Sequence, residues 1–299
     1  MNLSYKDIMK KNIKNAIRDF SRKILGKKIY IKLRFLITHR YLCNLDSPIT
    51  WNEKIQVRKL ESEPEKYSKY VDKYTVRQYV SDTIGSSHLI PLLGKYRVLK
   101  VSDFDSLPNQ FVLKTSNGGG GENVRIIRDK SKVDLERLAK DFNNYLGEKI
   151  GSKIDELFYD VEEPFIIAEK LMLTASSQLP VDFKLHIFNG VKQKIFVQID
   201  QGRFVDHRRG FFDILGIKQD FKIQPKYKDL PANFELPIGF EEMLFKARKL
   251  SEIFDYVRVD MYLIEGQCYF GELTFCHGSG WEPVYPREYD KILGSYWNS

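Results

Sequence analysis

The segment Val257-Arg258-Val259-Asp260-Met261-Tyr262-Leu263 alternates apolar and polar side chains. This predicts a strand over 256–263 with Val257, Val259, Met261 and Leu263 toward a core and Arg258, Asp260 and Tyr262 on the other face. Glu265-Gly266 turns the chain, and a strand over 267–275 then carries Glu272 and Thr274. A three-residue loop centred on Gly266 would set Asp260 directly opposite Glu272. Two carboxylates across a hairpin make a hard-oxygen site suited to Mg2+ bound partly through substrate phosphates. Arg258 beside them could neutralise charge on a transferring phosphoryl group. The structural alternative is a cross-strand ion pair between Arg258 and one carboxylate.

A second candidate is Asn117-Gly118-Gly119-Gly120-Gly121. Four consecutive glycines cost backbone entropy and mark a close approach of backbone to a ligand, and their N–H groups can cradle phosphate oxygens. No Gly-Lys-Ser/Thr follows, so this is not a Walker A loop; the third position of a dinucleotide fingerprint is Asn123. Strands predicted over 111–114 and 124–127 flank the loop, with Lys114 just before it. Such a hairpin can close over a triphosphate as a lid, or it is a flexible tip.

Two further groups complete the chemistry. His277, in Cys276-His277-Gly278-Ser279-Gly280, follows the carboxylate strand and could take a proton from an incoming amine, or merely orient the turn. Arg208 and Arg209 fall in an expected loop after a strand over 193–199. An arginine pair is apt for gripping a carboxylate bidentately, so the pair is a candidate acidic-sugar site, with a solvated loop as the alternative. No Ser/His/Asp or Cys/His arrangement for nucleophilic catalysis is evident.

The elements that must position these residues are legible in outline. Thr50 and Glu53 form a capping box opening a helix at Trp51, and a second helix is expected over 67–83, ending near Gly85. Val133, Leu135, Leu138, Phe142 and Leu146 recur through 130–149 at helical spacing. Strands are expected over 165–168, 181–188 and 193–199, the last two joined at Asn189-Gly190, a hairpin signal. Pro225, Pro231 and Pro237 make 218–238 a loop or weak edge. Strands and helices mix without regular βαβ alternation, which predicts an α+β protein.

The chain has 299 residues, enough for about two domains, with 42% hydrophobic and 29% charged residues. Three cysteines (Cys43, Cys268, Cys276) exclude a disulfide scaffold and fit a reducing cytoplasm. No apolar run approaches the ~20 residues of a membrane span, nor is there a cleavable-signal pattern. The net charge is +8, yet residues 1–40 hold twelve Lys/Arg against Asp7 and Asp19; that arm is +10 and the rest of the chain −2. Within it Ile8, Ile13, Ile17, Phe20 and Ile24 lie close to one helical face. A basic amphipathic helix predicts either an anionic membrane surface as partner or docking on the body. Nucleic acid is not expected, because the body has no basic stripe interleaved with stacking aromatics.

Taken together, the residues resemble the ATP-grasp superfamily. The order is Asp72-Lys73, Lys114 before a Gly-rich hairpin, Ile166-Ile167-Ala168-Glu169-Lys170-Leu171, Arg258-x-Asp260 and Gly271-Glu272-Leu273-Thr274. Thr50-Trp51-Asn52-Glu53-Lys54, Asp72-Lys73-Tyr74-Thr75-Val76-Arg77, the run from Leu107 through Pro108 to Lys114, and Phe270-Gly271-Glu272-Leu273-Thr274-Phe275 resemble its teichuronopeptide-biosynthesis (TupA-like) branch, found in polysaccharide gene clusters and sometimes labelled glycosyltransferase. The resemblance runs from about Leu45 to the C-terminus. It leaves out the basic helical arm (1–44) and implies an N-terminal helical/α+β region (45–108), a subdomain with the Gly-rich lid (109–168) and a C-terminal subdomain with the Mg site (169–299). Two α+β subdomains would grip ATP between them.

By that resemblance Lys73 and Lys114 hold phosphates under the Gly118, Gly119, Gly120 and Gly121 lid. Glu169 meets the adenine amino group, with main-chain groups of Lys170 and Leu171 at the hinge. Lys184 reaches a phosphate, Asp260 and Glu272 bind Mg2+, and Arg258 faces the transferred phosphoryl group. Thr274 stands where the superfamily usually has Asn as the last metal ligand. The expected reaction is ATP-dependent joining of an amino acid or related amine to a uronic acid of a bacterial surface polysaccharide or its precursor, at the inner face of the cytoplasmic membrane. The rivals are a glycosyltransferase, an ATP-dependent sugar kinase and a non-enzymatic membrane-associated scaffold that retains a degenerate nucleotide fold.

Overall fold

The computed structural model describes residues 18–60, 63–118, 123–202, 206–230 and 234–297. The first element after the arm is the expected capped helix, α1 (Trp51–Leu60). The Thr50 N–H donates to Glu53 Oε2 at 2.9 Å, and the Glu53 N–H donates to Thr50 Oγ1 at 3.2 Å. Each partner thereby satisfies an otherwise orphaned helix-end donor. The single helix expected over 67–83 is two, α2 (Glu65–Val71) and α3 (Val76–Ile84). Asp72 breaks it: Oδ1 accepts the N–H groups of Tyr74 and Thr75 at 2.9 and 2.8 Å, the competition of a short acid with helical backbone. Lys73 thus lies in the break, its own N–H donating to the Ser116 carbonyl at 2.8 Å.

A four-stranded sheet follows, built from β1 (Leu92–Tyr96), β2 (Phe111–Thr115), β3 (Val124–Ile127) and β4 (Ile166–Lys170) in the order β1-β4-β2-β3. Strand β1 is an addition to the sequence expectation. Helix α4 (Leu135–Leu146), opened by an Asp134 cap, covers this sheet with Leu138, Ala139 and Phe142. The second sheet holds β5 (Asp182–Phe188), β6 (Lys194–Gln201), β7 (Arg208–Phe212), β8 (Lys228–Asp229), β9 (Tyr256–Ile264) and β10 (Gln267–Thr274), in the order β10-β9-β5-β6-β7-β8. Helix α5 (Phe240–Ser251), also not anticipated, packs Phe240, Met243, Ala247 and Leu250 into the main core with α1 and the sheet. The mixture of helices and mainly antiparallel sheets is the α+β class.

Three local expectations differ from what forms. The β9–β10 hairpin turns on two residues, Glu265 and Gly266, both at positive φ (52° and 81°), which matches the twist of tight hairpins. Gly271 then forms a bulge that shifts the register, so Asp260 still faces Glu272. The β5–β6 hairpin exists, but Asn189 is a clamp rather than a tight turn. Its Nδ2 donates to the Ser251 and Phe254 carbonyls at 2.7 and 2.9 Å, and Phe188 pairs with Lys194 across a longer loop. Arg208 and Arg209 open strand β7 instead of lying in a loop. Successive strand residues point to opposite faces, so the two guanidiniums do not converge on one carboxylate.

Candidate active site

The strand pair β9–β10 carries the acidic centre. Asp260 and Glu272 are directly opposed, and Arg258, two residues before Asp260 on the same face, spans them. Its Nε and Nη2 donate to Asp260 Oδ1 and Oδ2 at 2.6 and 2.7 Å, and Nη2 also reaches Glu272 Oε1 at 3.0 Å. Thr274 Oγ1 donates to the same Glu272 oxygen at 3.4 Å. From β5, opposite Asp260 in register, Lys184 Nζ donates to Asp260 Oδ2 at 2.6 Å and Asp182 Oδ2 at 2.5 Å. Burial alone would lower the Lys184 pKa, but Asp260 and Asp182 raise it. Arg258, Asp260, Glu272, Thr274 and Lys184 therefore form one cluster. Its charged face is as buried as the apolar one, with Asp260 2% and Arg258 8% exposed, because the polar side of β9 forms the floor of the site.

His277 completes the cluster in a role that hydrogen bonding fixes. Arg258 Nη1 lies 2.7 Å from His277 Nδ1 and can only donate, so Nδ1 accepts and Nε2 carries the proton, which goes to Glu282 Oε2 at 3.1 Å. Burial lowers the His277 pKa; Glu282 opposes this and Arg258 adds to it. With both nitrogens engaged, this neutral imidazole orients Arg258 rather than waiting for a proton. Behind it, Glu282 accepts from Arg209 Nη1 at 3.1 Å, while Arg209 Nε and His207 Nε2 both contact Asp200 Oδ1 at 2.8 Å. Burial raises the Glu282 pKa, but His277 and Arg209 bring it down to about 2. Glu282, Asp200 and Asp182 were missed from sequence; no short-range spacing links them to the 258–274 hairpin.

Arg209 also lines a cavity of about 350 Å³ together with Lys218, Gln219, Lys222, Gln224 and Tyr227. Its guanidinium stacks on Tyr227 at 4.4 Å. Arg208 instead pairs with Asp206 at 3.0 Å on the exposed side. The arginine pair is thus divided between the cavity and the surface.

The cationic centre comes from the break between α2 and α3 and from the other sheet. Lys73 Nζ donates to the Gly118 carbonyl, and Lys73 is close enough to Glu272, Lys114 and Glu169 for each to act on its pKa, which burial lowers first and Lys114 lowers further. Lys114 pairs with Glu169 at 2.6 Å, and Arg77 reaches the other Glu169 oxygen at 3.4 Å. The carboxylate assigned by resemblance to the adenine is therefore the counter-ion of the lysine assigned to phosphate. The Lys170 N–H is spent on the Pro91 carbonyl at 3.0 Å, so Leu171 is the first backbone to leave the sheet at the expected hinge. Gly119, Gly120 and Gly121 lie outside the described residues. The chain's one Asp-x-Asp string, Asp103-Phe104-Asp105, sits on a 3-10 turn where Asp103 Oδ2 accepts the Lys100 N–H at 2.7 Å and Phe104 fills the small core. Asp103 is thereby spent on the fold, while Asp105 is exposed.

The residues present fit a nucleotide triphosphate and a hard cation. Among the described residues Thr115 Oγ1 and Asn117 Oδ1 are buried without hydrogen-bond partners beside the lysines, and so is Asp182 Oδ1 beside Lys184. A side-chain carbon at Gly118 would come within 2.8 Å of Thr115 Oγ1, so only glycine leaves that donor open. Asp260, Glu272 and Thr274 offer oxygens alone, which suits Mg2+.

A lysine on a sheet and a second in a helix break, set near a strand pair with opposed carboxylates, make the arrangement of an ATP-grasp protein. The chain belongs to the TupA-like ATP-grasp family, whose model matches residues 53–298. Solved structures similar to it include D-alanine–D-alanine ligase from Helicobacter pylori, at 16% identity and TM-score 0.42 over 77% of this chain and 61% of that one. Phosphoribosylamine–glycine ligase from Thermotoga maritima matches at 16% identity and TM-score 0.41, over 70% and 48%. ATP-grasp ligase PsnB, complexed with a precursor variant, Mg and ADP, matches at 10% and 0.39, over 79% and 60%. The chain spans about three-fifths or less of the length of these proteins. A search of curated proteins finds no match.

Proposed function

We propose that this chain is an ATP- and Mg2+-dependent carboxylate–amine ligase acting on a uronic acid of a bacterial surface polysaccharide or its precursor. The observation that carries the reading is the pairing of two centres: Arg258 and Lys184 packed against opposed carboxylates, with Lys73 and Lys114 within electrostatic reach. A carboxylate oxygen is a poor leaving group. Transfer of the γ-phosphoryl of ATP to the substrate carboxylate gives an acyl phosphate and ADP; the amine then attacks the acyl carbon, expelling phosphate and losing a proton. No protein nucleophile is required, and the work is positioning and charge neutralisation. Lys73 and Lys114 hold phosphate oxygens, while Arg258, aimed by His277, stabilises the transferring group. A Mg2+ held by Asp260 and Glu272 would supply further neutralisation of phosphate charge. The cavity beside Arg209, with Tyr227 as an aromatic face and with Lys218 and Lys222 paired to Asp229 on its wall, is where this reading seats the sugar ring.

The test is ADP and phosphate release from MgATP, with pooled amino acids and with glucuronate and galacturonate offered free, nucleotide-linked and as oligosaccharides. Release that needs both acid and amine, and is lost in Glu272→Ala, is the expected result. Release with sugar alone would favour a kinase; absence of ATP binding would overturn the assignment.

A further inference from the structure

The helix Lys27–His39 is apolar on two faces. Ile31, Phe35 and His39 are buried against the body, where His39 Nε2 contacts the Gly280 carbonyl at 3.0 Å and Arg34 lies 4.1 Å over the Trp281 ring. This pins the rotation of the helix. Ile29, Leu33, Leu36 and Ile37, spaced by four, three and one, fall on a second stripe roughly opposite the first, and all four are exposed, Ile37 by 67%. Phe20 and Ile24, on the helical turns before it, and Leu42 just after it are 66%, 64% and 79% exposed. An ordinary docking helix would bury its apolar stripe once and turn charge outward. This one keeps a second stripe in water.

The charges around the stripe indicate its occupant. Residues 18–40 hold eight Lys/Arg against Asp19 alone. Arg22 and Lys27 turn inward to Asp155, which leaves Lys23, Lys28, Lys32 and Arg40 exposed along the same helical stretch. A second copy of the chain would bring the same cations face to face. An anionic lipid surface complements both the charge and the protruding Ile and Leu side chains, which can enter the acyl boundary while the lysines reach headgroup phosphates.

We infer that the outer face of residues 20–42 binds an anionic bilayer surface in the plane of the membrane. The inner face of the same helix holds Gly280, three residues beyond His277, so the site is carried at a fixed orientation to the lipid. The arrangement suits an acceptor displayed on lipid but does not depend on one.

The experiment is co-sedimentation of the full chain with vesicles of phosphatidylcholine alone or mixed with phosphatidylglycerol, at low and high salt. The chain should bind the mixed vesicles and release at high salt. Leu33→Glu with Ile37→Glu, and separately Lys28→Glu with Lys32→Glu, should each weaken binding about tenfold or more with unchanged melting temperature, since none of these side chains is buried. Failure of the parent chain to bind mixed vesicles would overturn the inference. So would undiminished binding by both variants, or salt-independent self-association abolished by the Leu33/Ile37 pair, which would make the face a dimer contact.

Discussion

Replacing Lys73 by Met separates a binding cation from a structural one. The lysine sits in the break between α2 and α3, bonded through Nζ only to the Gly118 carbonyl among the described residues. Burial lowers its pKa and Lys114 pushes it the same way, so the resting protein is strained by this charge. Methionine keeps the stem and removes the cation. The loss is one hydrogen bond, about 1 kcal/mol, and the attraction of Glu272, Asp72 and Glu169, offset by relief of desolvation, the largest influence, and of Lys114 repulsion; unfolding free energy should stay within about 1 kcal/mol of the parent. Lys114→Met is the opposite case: it strips buried Glu169 of its nearer partner at 2.6 Å, leaving Arg77 at 3.4 Å, and should cost about 1.5–3 kcal/mol. For ATP, Lys73→Met removes a charge-assisted contact worth about 1.5–3 kcal/mol, so calorimetric titration should show affinity about 10- to 150-fold weaker. The sign with pH follows from linkage. Unfolded Lys73 binds a proton more tightly than folded Lys73, so stability gains from this group as pH rises from the lowered pKa toward 10.5, and Lys73→Met should lose that gain. The reasoning is refuted if Lys73→Met unfolds as readily as Lys114→Met, or binds ATP within about threefold of the parent.

Glu156, buried under the 277–280 turn with Ser279 Oγ donating to it, has its pKa raised by burial to about 7 from 4.5. Stability should therefore fall by up to about 3 kcal/mol as pH rises from 4.5 to 7, and denaturant melts of Glu156→Gln should lack that fall and show a gain above pH 7. Glu282 is the converse, lowered to about 2; it stabilises the fold above pH 4.5 by up to about 3 kcal/mol, lost on acidification toward 2. Glu282→Gln should flatten acid unfolding over that range. Gly271→Val would put a side-chain carbon 3.0 Å from the Asp260 carbonyl oxygen and 3.1 Å from the Tyr262 ring; it should cost about 1–3 kcal/mol and abolish MgATP turnover, whereas a folded, fully active variant would show that the bulge does not hold the register.

The parts of the site on one hairpin were readable because strand alternation fixes which side chains share a face. Asp260 opposite Glu272 needed only that rule, although the turn and the Gly271 bulge reached it by a different count of residues. Lys73 was readable as a charge but not as a position, since its presentation depends on Asp72 taking two N–H groups away from a continuous helix. The chain from His277 through Glu282 and Arg209 to Asp200 was not readable. Its members come from β6, β7 and the loop after β10, and long-range packing, not spacing, brings them together. For the same reason the Arg208-Arg209 pair misled: two adjacent guanidiniums look convergent in a loop and diverge once β7 pairs with β6.

The placement of α1 explains why a stretch with no evident chemistry, Thr50 to Lys59, belongs with the site. Trp51 stacks on the His277 ring at 5.5 Å and 23°, and Gln56 Nε2 donates to the Ser279 and Gly280 carbonyls at 3.0 and 2.9 Å. Arg58, 3% exposed, donates to the Tyr256 and Phe275 carbonyls at 2.9 and 3.1 Å, where β9 begins and β10 has just ended. One helix thus clamps the base of the carboxylate hairpin and the ring that aims Arg258. A guanidinium that must meet a transient phosphoryl charge gains little from being present unless its direction is fixed beforehand. Direction here is set by a neutral histidine whose tautomer is dictated from both sides and whose face is held by Trp51. The basic arm docks on the same turn at Gly280, so the elements outside the hairpin converge on Cys276-His277-Gly278-Ser279-Gly280. That turn, rather than the carboxylate strands alone, ties the rest of the chain to the candidate site.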